Sequence, residues 1–157
     1  MREHVKIKES LRIVVKDSKT GKIIRDEMYY PCNSVWDKFL CMLRLKKCCS
    51  TMTTKGREWV ARLLGNEGTQ APIDRIGAYD GSTWTWKTIT KSITTTDTTN
   101  DTLVVSNEND HWGSGSYTKI GCKNSSLTDA DRHNEITVNV KISSGQEWWA
   151  EIRFDID

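Results

Sequence analysis

Apolar residues fall on every second position between Ile136 and Ile142: Ile136, Val138, Val140 and Ile142 alternate with Thr137, Asn139 and Lys141. After Ser143, Ser144 and Gly145 the alternation resumes, with Trp148, Ala150, Ile152, Phe154 and Ile156 on one side and Trp149, Glu151, Arg153 and Asp155 on the other. A period of two belongs to a strand with one face toward a core. Two such runs across a short Ser-Ser-Gly link predict an antiparallel hairpin. Four further strands are predicted upstream, at residues 73–79, 84–96, 102–108 and 116–122. Threonine dominates the second of these, as suits a pleated, half-buried surface. Asp80-Gly81 and residues 97–101 and 109–115 read as turns or loops, and residues 123–134 as a polar crossover. Six strands joined mostly by short turns close most simply as an antiparallel β-sandwich.

The first half reads differently. Residues 5–30 predict a β-hairpin arm: an extended start at Val5 and Ile7, an apolar run over residues 11–15, a polar turn with Gly21 placed late, and a return over 23–30. Asn33 or Ser34 can cap a helix over residues 35–45, with Val35, Trp36, Phe39, Leu40, Met42 and Leu43 on its apolar side. A second helix is predicted from residue 55 to Leu64, where Trp59, Val60, Leu63 and Leu64 share one face and Gly65 stops it. The expected fold is mainly β with two short helices (α+β): residues 1–54 a hairpin arm and helix, residues 55–157 a helix plus β-sandwich, together one compact unit.

The order of signals from residue 55 to 157 resembles a module of virion structural proteins of tailed bacteriophages and archaeal viruses, chiefly tail, baseplate, adaptor and fibre components. In that module a glycine-led helix with a Leu-Leu ending precedes a Pro-Ile strand and a glycine-rich turn. The matching residues are Gly56, Leu63, Leu64, Pro72, Ile73, Ile76, Gly77, Gly81, Ser82 and Thr83. A Thr-rich strand, a Gly-x-Ile-x-x-x-Gly-type strand and a final β-pair follow, matched by residues 88–99, 115–121 and 136–156; residues 1–54 have no counterpart. The resemblance implies a virion protein made in the host cytoplasm, in a tail, collar or adaptor position, whose partners are other virion proteins and copies of itself.

Composition bounds these readings. A chain of 157 residues is long enough for one real core, and 36% hydrophobic with 28% charged residues suits a thin sandwich or a protomer that completes its burial in an assembly. No apolar run has transmembrane length and no signal-like segment follows Met1, so no membrane span is expected. Residues 1–65 hold 15 Lys/Arg against 7 Asp/Glu, whereas residues 66–157 hold 8 against 14. Such a division either draws copies together head to tail or is a chance difference between two solvated surfaces. Five cysteines, Cys32, Cys41, Cys48, Cys49 and Cys122, are odd in number and irregular in spacing. Reduced thiols are expected over a disulfide framework or a zinc site.

No catalytic spacing involves His4, His111 or His133, and no nucleophile elbow, HExxH or phosphate loop is present, so a non-enzyme without cofactor or metal is expected. Asp129 with Asp131, and Asp97 with Asn100 and Asp101, offer oxygen ligands to calcium, but ordinary turn chemistry accounts for them. The basic stretch from Lys38 to Arg62 is expected to be a solvated face, with nucleic acid a lesser reading. Of the seven tryptophans, Trp59 and Trp148 fall on apolar faces, while Trp84, Trp86, Trp112 and Trp149 are expected at a surface, as protein interface or as glycan platform. The expected interface set is Val5, Ile7, Leu11 and Ile13 on the arm, which would add a strand to a neighbour, together with those four tryptophans. A carbohydrate-binding module, or the receptor-binding head of a fibre, is the alternative.

Overall fold

The computed structural model describes residues 7–31, 35–43, 48, 49, 56, 58, 72–94 and 102–156. In chain order these form β1 (Ile7–Asp17), β2 (Ile23–Pro31), α1 (Val35–Met42), β3 (Cys48–Cys49), β4 (Arg75–Tyr79), β5 (Trp84–Thr88), β6 (Thr90–Thr94), β7 (Thr102–Ser106), β8 (Gly115–Lys123), a 3-10 turn (Asp129–Asp131), β9 (Ile136–Ile142) and β10 (Gln146–Ile156). Two sheets result, in the orders β3-β2-β1-β10-β7-β6 and β5-β4-β8-β9. Every pairing is antiparallel except that of β2 with β3. The core lies between the sheets: Leu11, Ile13, Val15, Val105, Trp148 and Ile152 of the larger meet Ile76, Ala78, Ile120, Ile136 and Val140 of the smaller. The expected two-sheet β architecture is present, and its inward residues are those that the period-two pattern marks.

β1 corrects the arm. Its alternating Leu11, Ile13 and Val15 need cover on one face, and its backbone finds a ladder on both edges. β10 pairs with it over its whole length, from Ile7↔Ile156 to Asp17↔Gln146. β2 pairs from Leu11↔Tyr29 onward. Leu11 and Ile13 are 0% exposed, so they belong to this chain's own core and are not anchors for a neighbour. The turn between β1 and β2 follows the sequence: Asp17 accepts from the backbone of Lys19 and Thr20, and Gly21 takes φ 69°.

The expected hairpin of the last two strands is also corrected, because β9 and β10 lie in different sheets. Both edges of β10 are taken, one by β1 and one by β7. The Ser143-Ser144-Gly145 link therefore passes from one sheet to the other, held where Gly145 O accepts from the amide and hydroxyl of Ser18 at 2.9 and 2.7 Å. The expected strand over residues 84–96 likewise breaks at Ile89, with β5 in the smaller sheet and β6 in the larger. The second expected helix falls outside the described residues apart from Gly56 and Glu58.

Candidate functional site

α1 is amphipathic by spacing, yet the apolar side that sequence marks for burial faces outward. Val35 is 83% exposed and Trp36 72%, with Phe39 and Leu43 also exposed. These positions recur at intervals of three and four, so they share a helical face. Trp36 and Phe39 meet edge to face, with ring centroids 5.9 Å apart. Tyr30, close before the helix, is exposed as well. Large aromatic side chains grouped in water are costly in a folded chain and are the residue types that anchor protein interfaces. This face was missed as a site because amphipathic spacing tells which side of a helix is apolar, not what lies against it.

Trp84 and Trp86 do come together, on the outer face of the smaller sheet. Their indoles stack with centroids 5.1 Å apart and planes 17° apart, and Tyr79 adjoins Trp84 at 5.4 Å. The sheet beneath is cleared by glycine. A Cβ on Gly77 would lie 2.6 Å from Trp86 Cε3, and one on Gly121 would lie 2.6 Å from Asn134 O. Each ring carries a cation: Lys119 Nζ lies 5.7 Å from the Tyr79 centroid, Arg132 Cζ 4.9 Å from Trp84, and Lys123 Nζ 4.5 Å from Trp86. Asp129 closes the group by accepting from Trp86 Nε1 and Lys123 Nζ, each at 2.8 Å. The bond from Lys123 leads the causes that hold the Asp129 carboxyl below its ordinary range. Both indoles are therefore half-buried, stacked on one another and covered by cations of the same chain. The arrangement pins the crossover after β8 to the sheet.

The other expected surface tryptophans separate. Trp112 is a correction: it is 2% exposed. It exchanges backbone bonds with Trp148 at 2.9 Å in each direction, its ring lies 4.5 Å from that of Trp148, and its Nε1–H donates to Thr85 O at 3.1 Å. With its one donor satisfied, an indole within a polar loop buries without penalty. Trp149 is half-buried on the outer face of the larger sheet, under the Arg12 guanidinium at 5.7 Å. Ile7 lies in β1 opposite Ile156, and Val5 lies outside the described residues. The side chains of Cys41, Cys48 and Cys49, all of Cys32, and the Asp97 to Asp101 group are likewise outside them.

The charge division along the chain does not persist as a division in space among the described residues. β1, from the basic half, lies against β10, from the acidic half, and Lys16 Nζ pairs with Glu147 Oε1 at 3.4 Å. Arg12 makes a two-pronged contact with Asp26, at 2.8 and 2.6 Å. Among the titratable groups inside the sandwich, Glu9 is 4% exposed and accepts from Asn134 Nδ2 at 3.3 Å. Burial pushes its carboxyl up to about 7. No group of His, Cys, Asp and Glu suited to a metal ion is found among the described residues. No described helix is long and apolar enough to cross a membrane. Compared with known proteins, the chain matches no family model, no curated protein and no solved structure.

Proposed function

We propose that this protein is a structural assembly component, of the kind that virions place in tails, collars or adaptors, and that it acts through protein–protein interfaces without catalysis. The observation that carries the reading is the outward apolar face of α1, with Trp36 72% exposed and Phe39 against it. Its occupant is a second copy of the chain: a closed homo-oligomer buries one such face from every protomer. Virion placement rests on the order of motifs from Gly56 to Ile156. Glycan binding at Trp84 and Trp86 is less favoured, because sugar rings stack on open indole faces and these are engaged with each other, with Arg132 and with Lys123.

The test pairs a double variant, Trp36→Ser with Phe39→Ser, against Trp84→Ala, reading oligomer mass and glycan retention for both. The expected result is that the α1 variant dissociates while retaining its β-sheet circular dichroism, and that Trp84→Ala leaves the mass unchanged. A mass unaffected in the α1 variant, together with glycan retention that is lost in Trp84→Ala, overturns the reading in favour of a carbohydrate-binding module.

A further inference from the structure

We infer that Glu9 is a pH-operated latch on the first strand: protonated, it holds residues 7–10 against β10 and the smaller sheet, and its ionisation lets them open to water.

Glu9 stands on the inward face of β1, in step with Leu11, Ile13 and Val15, where a carboxyl is the wrong residue for a core. Its Oε2 accepts a bond from Asn134 Nδ2 at 3.3 Å, and its buried Oε1 has no hydrogen-bond partner among the described residues. Asn134 is itself 0% exposed, and its Oδ1 accepts from Cys122 N at 2.7 Å. One amide thus joins β1 of the larger sheet to β8 of the smaller through the Glu9 side chain. An ionised carboxylate here lacks the several donors or the cation that offset desolvation, whereas a neutral acid is tolerated. Among the described residues the groups around it supply no positive charge. From β8 comes the Cys122 thiol, kept protonated by burial; on the crossover His133 adjoins Asn134, and burial favours its neutral ring. β10 places Phe154 opposite Glu9.

Residues 7–10 are also where release disrupts least. Among the described residues they pair with β10 alone, from Ile7↔Ile156 to Ser10↔Arg153, and β2 joins β1 from Leu11 onward. Opening them breaks one ladder and hydrates the carboxylate; beyond Leu11 two ladders would have to break. Burial sets the changeover of this carboxyl at about 7. The closed form is fully favoured below the ordinary value of 4.5, and the open fraction grows by about tenfold per pH unit from there to about 7, where it levels off. The latch stands independently of the assembly reading.

Amide exchange of the full chain, followed by mass spectrometry from pH 4 to pH 8 and corrected for intrinsic exchange rates, reads the latch directly. The expected result is that protection of residues 7–10 falls by about tenfold per pH unit between pH 4.5 and about 7 and levels off above it, while residues 11–15 stay protected. Glu9→Gln should abolish the pH dependence. Protection at residues 7–10 that is constant across this range in the parent, or that falls equally in Glu9→Gln, overturns the proposal. The parent profile alone decides it should the variant fail to fold.

Discussion

At Gly77 the backbone of β4 approaches the Trp86 indole so closely that an added Cβ would sit 2.6 Å from the ring. Gly77→Ala must therefore push Trp86 off Trp84 and loosen Lys123 and Asp129 with it. A loss of about 1–3 kcal/mol is expected, measured as a lower urea midpoint together with a weakened near-ultraviolet signal from the stacked pair. Glu9 acts through charge instead of shape. Its carboxyl is raised from 4.5 to about 7 in the folded chain, so the folded state binds more protons than the unfolded one. Stability is then fullest below pH 4.5 and declines as pH rises through 7, by at most about 3 kcal/mol. Glu9→Gln should be less pH-dependent and more stable than the parent above pH 7; urea titrations at pH 5 and pH 8 check this, and a parent equally stable at both contradicts it. Neither role was legible in the sequence, since Glu9 falls within the hairpin arm without a motif and Gly77 reads as one residue of a strand and of the glycine-rich motif after it.

Among the elements, the sequence marks inward residues better than it marks partners. Alternation in β9 and β10 names Ile136, Val138, Val140, Ile142, Trp148, Ala150, Ile152 and Phe154, and all of them are buried. The same pattern is satisfied whether two strands pair in one sheet or face each other across two, so the expected hairpin was an equal solution by periodicity and the wrong one by topology. What decides between them is long-range: β1, more than 120 residues away in sequence, takes the edge of β10. That makes β1 a structural strand. Replacing Leu11 or Ile13, both 0% exposed, with Asp should unfold the sandwich. Ile13→Ala should cost about 2–5 kcal/mol through the cavity it leaves. Circular dichroism and denaturant titration check both, and a folded Leu11→Asp chain with altered assembly alone would restore the arm.

On the scale of the whole molecule, the interleaving of β1 with β10 brings the basic and acidic halves of the chain side by side, as the Lys16–Glu147 pair illustrates. Charge-guided, head-to-tail attraction thereby loses its basis in the described residues, and the outward face of α1 becomes the stronger drive to association. Apolar contact and charge contact respond oppositely to salt: screening weakens the second and leaves the first intact or strengthened. Light scattering after size exclusion, on the unmodified chain at low and at high salt, separates them most directly. The account predicts a closed multimer whose mass is the same at both salts. A monomer at both, or a multimer that falls apart at high salt, would contradict it.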